Sequence, residues 1–206
     1  MARAQRARRG MMARVRRAVL PIVLALSMAG LSGCRAEAGY ATEANCPVEK
    51  SEFFVLMAQS VPSATLLPCI RSLPAGWTYG GSDVRSRSAR FWLDSDRAGF
   101  HAVEVLLAVS CSVAGALDVT NSTSEAGVRD YLREFVLHPY SADRYFTFPG
   151  GCVTYRYRFG GTADPVLALE ADEALTFGSR EALVTKVSRS LGLTLCGASA
   201  PPCVER

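Results

Sequence analysis

The sequence predicts an α+β domain in which an antiparallel sheet carries several helices on it, stabilised by disulfides. Three observations lead there. Apolar residues change along the chain from a helical to a two-residue period, in the order helix, strands, helix, strands, helices. The strands come in neighbouring pairs joined by short turns rich in Asp, Gly and Pro, which is how antiparallel neighbours connect. Beyond Cys34, six cysteines remain, the even set expected of a bridged domain.

Taken in order, "CPVEKSEFFVLMAQSVP" reads as a helix entered through Pro47 and stopped before Pro62. Phe53, Leu56, Met57 and Ser60 share one face, widened by Phe54 and Val55, and such a Met and Phe stripe is core packing. "VPSATLLPCIRSLPAGW" has three prolines and a glycine in 17 residues and reads as a long ordered loop pinned by Cys69. From Trp77 to Cys111 the period is two. "ARFWLDSDRAGFHAVEVLLAVSC" is a strand, a turn at "DSDRAG" and a second strand. On that second strand His101, Val103, Val105, Leu107 and Val109 share a side. Ala102, Glu104, Leu106 and Ala108 share the other, so both faces are covered.

"NSTSEAGVRDYLREFVLHPY" predicts the next helix, with Ser122 and Glu125 at capping-box spacing and a buried stripe of Val128, Leu132, Phe135 and Val136. "DRYFTFPGGCVTYRYRFGG" is two strands about a Pro149-Gly150-Gly151 turn. Its second strand alternates Tyr155, Tyr157 and Phe159 with Arg156 and Arg158. Asp164-Pro165 opens a helix through Leu175, and "EADE" at Glu170 to Glu173 is its solvated face. Ser179 caps a last helix that ends at Gly192, with Leu183, Val184, Val187 and Leu191 inward.

The N-terminus has a different character. Residues 1–17 hold seven arginines and no acid, and Ala18 to Leu31 carry no charge. As a helix those apolar residues reach only about 21 Å, short of the roughly 30 Å hydrocarbon core. A basic head, a short apolar middle and a small-residue exit make a secretory signal. Its exit, Leu31-Ser32-Gly33-Cys34, resembles the lipobox of bacterial lipoproteins. That resemblance implies cleavage before Cys34 and a diacylglycerol on its sulfur, an anchor to the cell membrane on the extracytoplasmic side; two acyl chains suffice for durable anchoring. An uncleaved anchor is disfavoured by the short span and Pro21, and a merely secreted chain by the free thiol it would leave. The expected organisation is a signal peptide over 1–33, a lipidated cysteine and flexible tether over 34–45, and one domain over 46–206. "VPSATLLPC" and "LPAGW" are similar to stretches of exported actinobacterial proteins, a resemblance that carries no activity with it.

Removing the signal changes the charge. The whole chain has a formal net charge of +4, but residues 34–206 hold 16 basic and 19 acidic side chains, a net of −3. No basic footprint for nucleic acid survives. Of the six remaining cysteines the expected bridges are sequential: Cys46–Cys69, Cys111–Cys152 and Cys196–Cys203. No pair has C-x-x-C spacing, which disfavours a metal, and no cofactor is expected.

Catalytic signatures are missing: the chain has no G-x-S-x-G, H-E-x-x-H or P-loop pattern. Asp94, Asp96 and Gly99 fit three positions of a calcium loop, but Val105 stands where the bidentate carboxylate belongs, so a polar turn is expected. The functional expectation is a membrane-anchored, non-catalytic binding or accessory domain of the cell envelope, whose partner is a solute, an envelope polymer or a protein. The alternative is an envelope hydrolase using Glu104, Asp94 or Asp96 with His101 or His138.

Overall fold

The computed structural model describes residues 52–121, 127–135 and 139–196, all within the unit Glu43–Arg206. In chain order the elements are α1 (Glu52–Ser60), β1 (Leu66–Ile70), β2 (Trp77–Arg85), β3 (Ser88–Ser95), β4 (Gly99–Ala108), β5 (Leu117–Asp118), β6 (Arg129–Phe135), β7 (Ser141–Phe148), β8 (Gly151–Arg158), α2 (Val166–Ala174), β9 (Leu175–Ser179) and α3 (Arg180–Leu191). β2 to β8 form one antiparallel sheet in the order β2-β3-β4-β8-β7-β6-β5, and β1 pairs with β9 in a separate two-stranded ribbon. The α+β fold with an antiparallel sheet is as the sequence predicts.

Both predicted hairpins are present. β3 pairs with β4 from Ser88↔Ala108 to Ser95↔Gly99, and β7 with β8 from Ser141↔Arg158 to Phe148↔Gly151. The β4–β8 ladder, with Val105 opposite Tyr155, joins them into one sheet. Alternation sorts the two faces. Phe91, Leu93, Val103, Val105, Leu107, Val153, Tyr155 and Tyr157 are buried on the inner side. Covers on that side come from three directions. Phe53 of α1 meets Phe91 edge to face, with ring centroids 6.1 Å apart. Phe177 of β9 packs on Phe146, Phe148 and Tyr155. Asp172 of α2 meets Tyr157.

The β7–β8 turn is held from outside. Gly150 has φ +77°, and a Cβ there would lie 1.8 Å from the Ser63 carbonyl oxygen. Ser63 Oγ donates to Gly150 O at 2.6 Å, and Thr65 Oγ1 to Pro149 O at 2.9 Å. Glycine is required at such a crossing of two backbones.

Several expectations are corrected. The helix predicted around residues 121–138 is, over Arg129–Phe135, the strand β6, paired with β7 from Arg129↔Thr147 to Phe135↔Ser141. The apparent stripe splits: Leu132 faces Arg144 on the inner side, while Phe135 lies on the outer side with Arg133. The proposed cap at Ser122 and Glu125, and Val136, lie outside the described residues. The predicted loop after α1 contains β1, which accommodates Pro68 because a two-stranded ribbon has only edge strands. Its partner β9 fills the segment between α2 and α3. On α1 the buried face is Phe54, Met57 and Ala58, rotated by one residue from the predicted one, and Leu56 is 53% exposed.

α3 begins and ends as predicted. Ser179 Oγ accepts from Ala182 N at 3.1 Å, and Gly192 closes the helix with φ 64°. Leu183 and Val187 are buried, but Leu191 is exposed and Arg180 takes an inward place instead. Arg180 is 1% exposed, and its Nη1 donates to Ala58 O at 2.7 Å and its Nη2 to Cys196 O. The guanidinium thus ties α3 to the last turn of α1, where the helix leaves orphan carbonyls. The Cys111–Cys152 bridge is formed. Cys69 and Cys196 are disulfide-bonded as well; their expected partners, Cys46 and Cys203, lie outside the described residues, as does Cys34.

Candidate ligand-binding face

The outer side of the sheet is built from the polar phase of each strand. In direct register across it run Gly81, Trp92, Glu104, Arg156, Asp143 and Arg133. Opposite charges face each other at each step from Glu104 onward, an arrangement that stabilises strand pairing. Arg156 Nη1 lies 3.3 Å from Glu104 Oε2, and Arg90 Nη1 lies 3.1 Å from Glu104 Oε1. Asp143 accepts from Arg133 Nη2 at 2.7 Å and Arg158 Nη2 at 2.6 Å, and the Tyr145 hydroxyl donates to it at 3.2 Å. Burial pushes the Asp143 carboxyl up, but the hydrogen bonds from Arg133 and Arg158 outweigh it and hold the group below its ordinary value.

One end of this face is occupied. Cys152 points outward there, and its bridge to Cys111 brings the segment after β4 across the strands. Arg133 Nη1 donates to Ala114 O in that segment at 3.2 Å. Trp92 lies four pairs further along β3 than Ser88, the residue in line with Cys152, so the other end is where the aromatic residues gather.

That aromatic cluster is a stack. The His101 ring lies 4.7 Å from Trp92 and 3.7 Å from Phe100, nearly parallel to both. Arg90 Cζ sits 5.7 Å from the Trp92 ring. His101 has φ 49°, at the place where the β3–β4 register shifts. Its backbone N–H donates to Asp94 Oδ1 at 2.7 Å, which holds the left-handed turn in place. The Asp94 carboxyl in turn fills the space of an absent side chain, since a Cβ on Gly80 would lie 2.5 Å from its Oδ1.

The hydrolase candidates are therefore not assembled with one another. Asp94 is committed to the His101 backbone, Glu104 to two arginines, and Asp96 lies against Gly76 with Arg97 Nε 3.6 Å away. None of the three bonds to the imidazole of His101, and His138 lies outside the described residues. Among the described residues, no three potential metal ligands cluster.

Two polar clusters on the other side correct the reading of "EADE" as a solvated face. Glu170 accepts from Arg97 Nη2 at 2.5 Å and Trp77 Nε1 at 3.2 Å, beside an open cleft of about 480 Å³ lined by Pro74, Ala75, Gly76, Asp96, Arg97 and Glu170. The Arg97 hydrogen bonds hold the Glu170 carboxyl below its usual value. Asp172 accepts from the Tyr157 hydroxyl and from Arg144 Nη1 at 2.6 Å, and Arg144 Nη2 reaches Asp130 at 2.7 Å. Burial pushes the Asp172 carboxyl up, only partly offset by Arg144 and Tyr157, and it pushes the Tyr157 hydroxyl well up too. Both clusters join α2 to the sheet, and their charges already have partners.

The stack was legible in part. In "ARFWLDSD" the tryptophan shares the polar phase with Arg90 and Asp94 while Phe91 and Leu93 take the apolar one. Nothing local marks Asp143 or Asp172, whose arginine partners come from other strands. No protein-family profile, curated protein or solved structure matches this chain.

Proposed function

We propose that this chain is a lipid-anchored, extracytoplasmic, non-catalytic binding domain of a bacterial cell envelope, with the outer face of its sheet as the ligand surface. The observation that carries the reading is the Phe100–His101–Trp92 stack. Its polar ring edges, the Trp92 Nε1–H and both imidazole nitrogens, have no protein partner among the described residues. Polar groups left beside exposed aromatic faces suit recognition. The carboxylates that a hydrolase would need are engaged by arginines and backbone, which supports binding over catalysis. "LSGC" at Leu31–Cys34 supports the anchor, with Cys34 as the lipidated residue.

The anchor is tested by detergent partitioning of the exported protein beside a Cys34→Ala variant. The parent is expected in the detergent phase and the variant in the aqueous phase. Equal partitioning of the two removes Cys34 lipidation from the reading.

A further inference from the structure

The aromatic stack contains features that stability does not ask for. Phe100 is 75% exposed, although covering a phenylalanine would stabilise the fold. His101 holds a left-handed backbone that is unfavourable for an L-residue. The strain accompanies an imidazole seated between two other rings. Flanking groups are mixed in kind. Glu104 and Asp94 supply acceptors, and Trp92 Nε1, Arg90 and Arg156 supply donors. Each oxygen of Glu104 takes one arginine bond and keeps a lone pair for another.

We propose that the Phe100–His101–Trp92 stack is a platform for a pyranose ring of a neutral envelope glycan. This rests on the binding-domain reading above and names its ligand class. One side of a pyranose presents C–H bonds, which the negative face of an aromatic ring attracts. Its rim carries hydroxyls, each both donor and acceptor, and the stack is bordered by both kinds of partner. The charge balance selects against other occupants. Arg90, Arg156 and Arg158 are each paired to a carboxylate, so no surplus cation awaits a polyanion. Asp94, whose carboxylate holds the His101 backbone, pairs with no arginine among the described residues, and an anionic leaflet would repel it.

The test is isothermal titration of the full chain in detergent with two neutral probes, the N-acetylglucosamine tetramer and mannotetraose. Polygalacturonate and phosphatidylglycerol vesicles serve as the charged arms. At least one neutral probe is expected to bind. Phe100→Ala should weaken it about tenfold, and Phe100→Trp should retain it. Because the Phe100 ring is exposed, unchanged circular dichroism of the Ala variant separates lost contact from lost fold. Failure of both neutral probes, or equal affinity in Phe100→Ala, overturns the proposal. Binding to vesicles or to the polyanion alone, abolished by Phe100→Ala, makes the ridge a different surface and overturns it too. Partitioning of the Cys34→Ala variant is unaffected by any of these results, so loss of the platform and loss of the anchor are told apart.

Discussion

The Tyr157 hydroxyl donates to Asp172 Oδ1, joining the end of β8 to the last turn of α2 beneath the sheet. Both groups are largely removed from water, and Arg144 supplies the countercharge at 2.6 Å. Tyr157→Phe keeps the ring and leaves the buried carboxylate one donor short. Unfolding in urea should show a loss of about 2 kcal/mol, the range for a hydrogen bond to a charged group. A loss near zero would mean that water replaces the hydroxyl and that Arg144 suffices to hold the Asp172 carboxylate.

Two carboxylates, Asp143 and Asp172, should leave opposite marks on the pH dependence of stability. Asp143 titrates below its ordinary value in the folded chain, so its contribution is full above the unfolded value and disappears as pH falls through the folded one. Asp172 titrates above its ordinary value, so its contribution is full below the unfolded value and is lost as pH rises through the folded one. Unfolding free energies at pH 7 and pH 3 for the parent, Asp143→Asn and Asp172→Asn test this. The parent's advantage over Asp143→Asn should shrink on acidification, and its advantage over Asp172→Asn should grow. The same trend for both variants would contradict the two environments.

Gly150→Ala should be among the most damaging single-atom changes in the chain. The added carbon meets the Ser63 carbonyl at 1.8 Å, and the positive φ of +77° is unfavourable for alanine in any case. Backbone cannot swing aside as a side chain can, so a loss of at least about 2 kcal/mol in thermal or urea unfolding is expected. Gly115→Ala is the control, with positive φ but no atom within 4 Å, and should cost only about 1 kcal/mol.

What could be read from the sequence was what neighbours in the chain decide. The hairpin at Pro149-Gly150-Gly151, the inward Tyr155 and Tyr157, the Ser179 cap and the Gly192 stop all depend on turn chemistry, capping or two-residue alternation within a few positions. β6 was misread because Val128, Leu132 and Phe135 fit a helical face equally well. Only the ladder to β7, with Arg133 opposite Asp143 and Asp130 bound to Arg144, makes Arg129–Phe135 a strand. The ribbon shows the same limit. Pro68 argues against a strand until Phe177 is known to pair with it.

The site divides along the same line. Outward placement of Arg90, Trp92 and Asp94 was determined by the sequence, because a strand that buries Phe91 and Leu93 must turn the residues between them the other way. The stacking of Trp92 on His101, the pairing of Glu104 with Arg156 fifty-two residues on, and the partnership of Arg97 with Glu170 across 73 residues were decided only by the tertiary structure. Local backbone preferences act over one turn or one strand, whereas these contacts exist because burial of the inner face brings β3, β4, β8 and α2 together.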